Sequence, residues 1–365
     1  MRKSKVGVVG CGKISAAYFK AAKKFRDLEY VFCADVNFAA ASAAAVEFGC
    51  QALSVDELVR HLDVEMVLNL TTPQAHVAVN TLALKAGKHV YVEKPLALDL
   101  DAARVMLELA AQRGLRVGCA PDTFLGAGLQ TVRKILDDGW IGTPLSGTAI
   151  MMAPGHERWH PNPAFYYQTG GGPLFDMGPY YLTALVMLLG PVQTVMGMAG
   201  KGFAERICTC EALHGERLPV SVNTHVTGVL RFHCGAMVTM IMSFDVAKHS
   251  CPCLELHGTL GSLALPDPNG FGGPVRFARR AQEWAEVPLL FGYLENSRSI
   301  GLADMARAIR SGRPHRCHGA MALHVLEVMR ALEQSAATGR TEQIQSTCER
   351  PAPLPMGLLE GVLDD

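Results

Sequence analysis

The regular alternation of short apolar runs with helical spacings over the first 120 residues constrains this chain more than any other feature. Apolar runs at 6–9, 30–34, 66–70, 89–92 and 115–119 read as strands, and residues 14–25, 39–48, 75–86 and 100–112 between them have helical spacing. The runs are nearly continuously apolar, so each strand is buried on both faces. That pattern requires a parallel sheet with helices above and below it.

The pattern changes after about residue 122. Residues 129–138 read as a helix ended by Gly139, and strand-like runs follow at 145–152, 192–198, 222–233, 236–244 and 253–257. Residues 226–244 have the form of a hairpin turning at Cys234 and Gly235. Helical spacing returns at 302–310 and 320–336, and a proline-rich tail from Arg350 is expected to wrap loosely. The chain of 365 residues is therefore expected to form two domains, 1–122 and 123–365. The fold class is α/β, with a parallel sheet first and an α+β domain with a mostly antiparallel open sheet second.

Basic and acidic residues balance at 34 each. The sequence pI of about 7.2 gives no reason to expect nucleic acid or an anionic membrane surface as partner. A small molecule is the expected partner. Eleven scattered cysteines in a chain this large read as reduced thiols in the cytosol rather than a disulfide framework. The basic start, Met1 to Lys5, is followed by too short an apolar run for a signal peptide, and the longest later apolar stretch, 181–189, is far below membrane-span length.

The segment from Val6 to Ser15 joins the first strand to the first helix through Gly10-Cys11-Gly12. Gly10 permits a tight turn, and Gly12 lets the backbone approach a pyrophosphate. Lys13 and Ile14 open a helix whose free N–H groups face that anion. Ser15 stands where such fingerprints carry a third glycine and is small enough for close packing. This makes the first domain Rossmann-like. Asp35, at the end of the second strand, is placed to accept from ribose hydroxyls and to repel a 2′-phosphate, so NAD is expected in preference to NADP. Capping a loop is the plainer role for Asp35. Thr71, Thr72, Pro73 and His76 follow the third strand; Thr72 reads as an N-cap with Pro73 at the first helical position, and the loop lines the nicotinamide side. Lys94 ends the fourth strand between Glu93 and Pro95. A poorly solvated lysine at the ligand-binding edge of a sheet must serve something opposite it.

Together, Gly10-x-Gly12, Thr72-Pro73-x-x-His76, Glu93-Lys94-Pro95 and the run Gly170 to Tyr180 resemble the glucose–fructose oxidoreductase and inositol dehydrogenase (Gfo/Idh/MocA) family. The resemblance implies hydride transfer between a nicotinamide and a carbinol carbon of a sugar, glycoside or polyol. It implies that Lys94 polarises the reacting hydroxyl, that Glu93 contributes backbone contacts near the cofactor and that Asp176 and Tyr180 occupy the acidic and acid/base positions. Many members carry histidine where this chain has Tyr180. Either a cation such as Lys94 lowers the tyrosine hydroxyl into the range of a base, or Tyr180 orients substrate and another group moves the proton. The Lys94–Pro95 bond is a candidate cis peptide. Residues 151–167 crowd His156, Trp159, His160 and Tyr166 into one loop, a composition suited to sugar faces and hydroxyls; Asp122 borders the same pocket. A homodimer or homotetramer is implied, joined through the open sheet face.

Two further readings keep the nucleotide site: glycoside cleavage with recycled NAD, and a catalytically silent nucleotide-binding regulator. No metal is expected. Cys208-x-Cys210 and Cys251-x-Cys253 have metal-like spacing but sit in strand-like surroundings, and His315, His318 and His324 lack a spaced partner.

Overall fold

The computed structural model describes residues 2–364. Its first half runs β1 (Ser4–Val9), α1 (Ser15–Ala22), β2 (Leu28–Ala34), α2 (Phe38–Phe48), β3 (Gln51–Ala52), α3 (Val55–Arg60), β4 (Met66–Asn69), α4 (His76–Lys85), β5 (His89–Val92), α5 (Leu100–Gln112) and β6 (Val117–Cys119). The six strands are all parallel, in the order β3-β2-β1-β4-β5-β6. Caps fix the helix starts. Asn37 accepts from the Ala39 N–H at α2, Asp99 from Ala102 at α5, and Ser54 and Glu57 form a capping box at α3. The two-residue β3 and the six-residue α3 escaped the sequence reading because neither is long enough to show a period.

The order reverses at β1, whose neighbours are β2 on one side and β4 on the other. Ligands bind in the crevice at the carboxyl end of such a switch point. Gly10 sits there with φ +102°, and a Cβ on it would meet the Leu70 carbonyl carbon at 2.6 Å. Only glycine lets the β1 and β4 loops close on each other.

The second half runs α6 (Ala127–Asp137), β7 (Pro144–Met152), α7 (Gly172–Asp176), α8 (Gly178–Leu189), β8 (Val192–Gly200), β9 (Glu205–Ile207), β10 (Arg217–Pro219), β11 (His225–Phe232), β12 (Met237–Ser243), β13 (Leu254–Gly258), β14 (Gly261–Leu265), β15 (Val275–Arg279), β16 (Ala285–Val287), α9 (Ile300–Ser311), α10 (Gly319–Thr338) and β17 (Glu342–Gln343). Nine strands form one sheet, ordered β16-β15-β14-β13-β7-β12-β11-β8-β17, in which only β7 and β12 pair in parallel. The expected β11–β12 hairpin turns through Gly235. α10 lies close over one face, where a Cβ on Gly228 would meet Leu332 at 2.8 Å. The opposite face leaves Met196, Met198, Val229 and Met237 exposed. No helix among the described residues is long and apolar enough to cross a membrane.

Two expectations need correction. The tail does not wrap loosely: Arg133 donates to the Pro351 carbonyl at 3.0 Å, Arg316 to those of Ala352 and Pro353, and Leu354 and Leu363 are buried. Nor does the chain leave the parallel sheet for good at residue 122. The Cys119 N–H donates to the Cys317 carbonyl at 3.0 Å, and Gly118 bridges His318, so the segment after α9 extends the edge at β6.

Asp122 lies at this junction, 1% exposed, accepting from the N–H groups of Ser299, just before α9, and of Gly301 in its first turn. It does not border a pocket. Burial pushes its carboxyl up to about 6, against the pull of the Gly301 N–H and Arg298. The folded chain thus keeps a proton that an unfolded aspartate releases near pH ~3.9. That favours folding below about pH 4, and the advantage disappears as pH rises to about 6. Asp122→Asn should flatten this slope, as read by urea unfolding at several pH values; an unchanged slope would assign the titration to another group.

Candidate active site

The dinucleotide loop is shaped by its own hydrogen bonds. The Gly10 N–H donates to the Ala34 carbonyl and the Cys11 N–H to Asp35 Oδ2, both at 2.8 Å, while Asp35 Oδ1 accepts from Asn37 at 2.8 Å. Asp35 therefore caps this loop and keeps lone pairs on both oxygens. The N–H groups of Gly12, Lys13 and Ile14 find no acceptor among the described residues, and a Cβ on Gly12 would meet nothing within 4 Å. Ile14 stands at the N-cap of α1 and makes no side-chain capping hydrogen bond. Free N–H groups at a helix start, beside open space and a carboxylate, fit the diphosphate and ribose of a dinucleotide.

The next loop is built on Asn69, which accepts from Thr71 and donates to Asn80 at 2.7 Å and to the His76 carbonyl at 3.1 Å. His76 is fully buried and its ring spans the Pro95 and Thr71 carbonyls at 2.7 and 3.1 Å. It ties the β4 loop to the β5 loop, with both ring nitrogens taken up by backbone carbonyls. Thr72 stands at the N-cap position before Pro73 but makes no capping hydrogen bond. Its side chain is exposed instead.

Past β5, Glu93 is buried, accepting from Tyr18 Oη at 2.6 Å and from the Lys94 N–H at 2.9 Å. This clamp sends the Lys94 side chain the other way, toward α7, and the Lys94–Pro95 bond is cis. Lys94 Nζ donates to Asp176 Oδ1 at 2.8 Å and to the Asp176 carbonyl at 2.6 Å. It also lies 5.2 Å from the centre of the Tyr180 ring. Met177 breaks the helix between Asp176, the last residue of α7, and Tyr180 in α8. Lys94, Asp176 and Tyr180 meet all the same.

Electrostatics sort these groups. Burial alone would lower the Lys94 ammonium, but Asp176, then Tyr180 and Glu93, hold it above its ordinary range. Burial alone would raise the Asp176 carboxyl, but Lys94 and the His156 hydrogen bond keep it well below the carboxylate range. Tyr180 goes against the expectation of a lowered hydroxyl. Burial raises it, and the opposing pull of Lys94 is not enough to reverse the direction. The direction of the shift leaves the Tyr180 hydroxyl protonated and able to donate a hydrogen bond.

The loop after β7 closes over this cluster. His156 Nε2 is 2.9 Å from Asp176 Oδ2, the oxygen that Lys94 leaves free. The His156 ring packs edge-on against Tyr166 and Trp159, with centroids 4.1 and 5.3 Å away, and Trp159 contacts His160 at 5.2 Å. Lys13 Nζ sits 5.1 Å from the Trp159 ring centre, so the loop reaches back to the dinucleotide loop. Burial, then Lys13, lowers the His160 imidazole. Composition identified the loop; the pairing of His156 with Asp176 was not visible, because the two lie twenty residues apart on separate elements. Tyr18 was missed as the group that aims Glu93, and only its place in α1 brings it there. Among the described residues no three His, Cys, Asp or Glu side chains are placed to hold a metal ion.

Comparison with known proteins agrees with both halves of this description. Residues 4–120 match the profile described as the oxidoreductase family, NAD-binding Rossmann fold, and residues 129–264 that of the GFO/IDH/MocA C-terminal domain. The chain is 27% identical over 264 residues to 1,5-anhydro-D-fructose reductase of Ensifer adhaerens, covering 70% of this chain and 74% of the relative. It is 24% identical over 367 residues to D-apiose dehydrogenase of Paraburkholderia graminis, covering 96% and 93%. The solved structure of levoglucosan dehydrogenase in complex with NADH and L-sorbose superposes with a TM-score of 0.81 at 22% identity, covering 95% of this chain and all of the other.

Proposed function

The chain belongs to the Gfo/Idh/MocA oxidoreductase family, and from that premise we propose that it is an NAD-dependent dehydrogenase or reductase of a sugar, glycoside or polyol. The observation that carries the proposal is the Lys94–Asp176 pair with Tyr180 beside it, at the carboxyl edge of the parallel sheet and next to the Gly10–Ile14 loop. Gly12, Lys13 and Ile14 would hold the diphosphate and Asp35 a ribose. When bound, the nicotinamide supplies the hydride acceptor or donor. The Lys94 ammonium hydrogen-bonds the reacting oxygen and stabilises the alkoxide that develops on it. Asp176 keeps that ammonium charged and aimed, and Tyr180 donates a further hydrogen bond. Trp159 and Tyr166 offer flat faces to the sugar ring and His160 a polar edge.

Asp35, with no arginine or lysine in the residues just after it, favours NAD over NADP. The exposed Met196, Met198, Val229 and Met237 support a homodimer or homotetramer joined through the outer sheet face. Eleven unpaired thiols suit the reducing cytoplasm.

The test is oxidation of levoglucosan, D-xylose, D-apiose and myo-inositol, and reduction of 1,5-anhydro-D-fructose, followed as NAD(P)H absorbance. Turnover with NAD and accumulation of NADH support the reading; no turnover with any of these and no NADH binding would sink it. Gly12→Ala gives a sharper check of the cofactor site. Open space at that Cβ leaves melting unchanged, while NADH binding weakens by about tenfold or more, a cost of roughly 1.4 kcal/mol. Unchanged NADH affinity in a fluorescence titration would move the dinucleotide elsewhere.

A further inference from the structure

We infer that Tyr167, braced by Glu157 and by Arg206 of β9, is a positioning residue that sets the sugar-facing loop over Asp176. The inference rests on the dehydrogenase reading and assigns a role within it. Tyr167 is wholly buried and presents no surface to a ligand, so it acts through its hydroxyl. That oxygen accepts from the His156 N–H at 3.1 Å and donates to the Glu157 carboxylate. His156 in turn places its ring nitrogen Nε2 at 2.9 Å from Asp176 Oδ2. One hydroxyl thus fastens the loop's backbone at the residue whose side chain meets the Lys94–Asp176 pair.

The brace comes from outside the two large sheets. β9 and β10 pair only with each other, as a two-stranded hairpin. The hairpin and the strand that follows it grip the loop at three places. The Thr209 and Cys210 N–H groups both donate to the Glu157 carbonyl at 3.1 Å. Arg206 reaches the Glu157 carboxylate at 3.4 Å. The Ser221 N–H and hydroxyl hold the Tyr167 carbonyl at 2.9 and 3.0 Å. Glu157 is 5% exposed, so its charge depends on that guanidinium and on the Tyr167 hydroxyl. Gly155, at φ +96°, makes room for the junction, since a Cβ there would meet Tyr167 Oη at 2.6 Å. Arg206 lies over the Tyr167 and Phe203 rings and pairs with Asp245, yet its Nε is buried with no hydrogen-bond partner among the described residues. A buried unpaired donor costs stability and calls for another reason. Holding Glu157 against Tyr167 supplies one.

The flat faces offered to the sugar ride on the same loop. The Trp159 and Tyr166 rings pack against the His156 ring, at 5.3 and 4.1 Å. Lys94 keeps its own two hydrogen bonds to Asp176 from the other side. Loosening the brace should therefore weaken sugar binding and leave hydride transfer nearly intact, which raises KM and spares kcat.

The test uses the full chain, with active sites counted by NADH binding, and the best-oxidised sugar among levoglucosan, D-xylose, D-apiose and myo-inositol. Tyr167→Phe keeps the ring and removes the hydroxyl. Its KM for the sugar should rise by about tenfold, with kcat within about threefold of wild type and NADH affinity unchanged. Glu157→Gln keeps an acceptor for Tyr167 and weakens the grip of Arg206, so its KM should rise less. The double variant should be no worse than Tyr167→Phe alone, because both changes break one chain of contacts. Hydrogen exchange gives a readout that needs no substrate. In Tyr167→Phe the amides of residues 154–160 and of the 205–219 hairpin should exchange faster together, with those of the first domain unchanged. Three results would overturn the inference: lowered melting with KM intact, the mark of a merely structural role; additive effects in the double variant; or faster exchange in the loop with the hairpin unmoved. If Tyr167→Phe does not fold, Glu157→Gln carries the same KM and exchange measurements. A wild-type chain that oxidises none of these sugars fails the dehydrogenase reading instead, and the exchange measurement still decides whether the hairpin braces the loop.

Discussion

Lys94→Ala should lower kcat for hydride transfer by about 10²–10³-fold while NADH still binds, because it removes the donor aimed at the developing alkoxide. The same change should also cost stability. Lys94 and Asp176 are each only 16% exposed at the side chain, and truncating the lysine leaves the carboxylate in the pocket with His156 alone. Breaking a buried pair in this way costs about 3–5 kcal/mol, and the remaining histidine places this case toward the low end. The two effects separate in the double variant Lys94→Ala with Asp176→Asn, which should recover most of the melting temperature and none of the activity. Wild-type kcat in the single variant would take Lys94 out of the chemistry.

The largest purely structural effect is expected at Asp304. This residue of α9 is wholly buried and accepts from Arg313 Nη2 and from the Arg316 N–H, both at 2.6 Å, and from the Arg316 guanidinium. The two arginines hold the tail: Arg316 through the carbonyls of Ala352 and Pro353, and Arg313 through Asp364, with Nε at 2.8 Å. Asp304→Ala leaves two guanidinium groups short of their central partner, one of them nearly inaccessible to water. A loss of about 3–5 kcal/mol follows, with a fall in melting temperature of roughly 5 °C. Residues 350–364 should become the first site of limited proteolysis. A loss under about 1 kcal/mol would mean that desolvation nearly cancels the attraction in this network.

Much of the molecule can be read from its residues in order. The parallel sheet announces itself because buried strands and covering helices have different periods, and the chain shows both in turn. The fingerprint is local: Gly10, Gly12 and the start of α1 are consecutive, so their geometry follows from their order. Lys94 stands out because its strand and the following proline are adjacent to it in sequence. Where the signal is short or long-range the reading stops. β3 and α3 are too brief to show a period, and the firm docking of the tail depends on arginines that precede it by more than 30 residues.

By itself the sequence determined the fold class and pointed to the dinucleotide loop and to Lys94, which rest on spacing between neighbours along the chain, while Asp176 and Tyr180 were named by resemblance to the family. The tertiary structure alone decided how these groups are charged and what else faces them. It buried Tyr180 deeply enough to raise its hydroxyl, hid His76 and Asp122 behind backbone carbonyls and N–H groups, and set His156 against Asp176. Protonation depends on desolvation and on charges brought close by folding, and neither distance nor burial is encoded in the spacing of residues along a strand or helix.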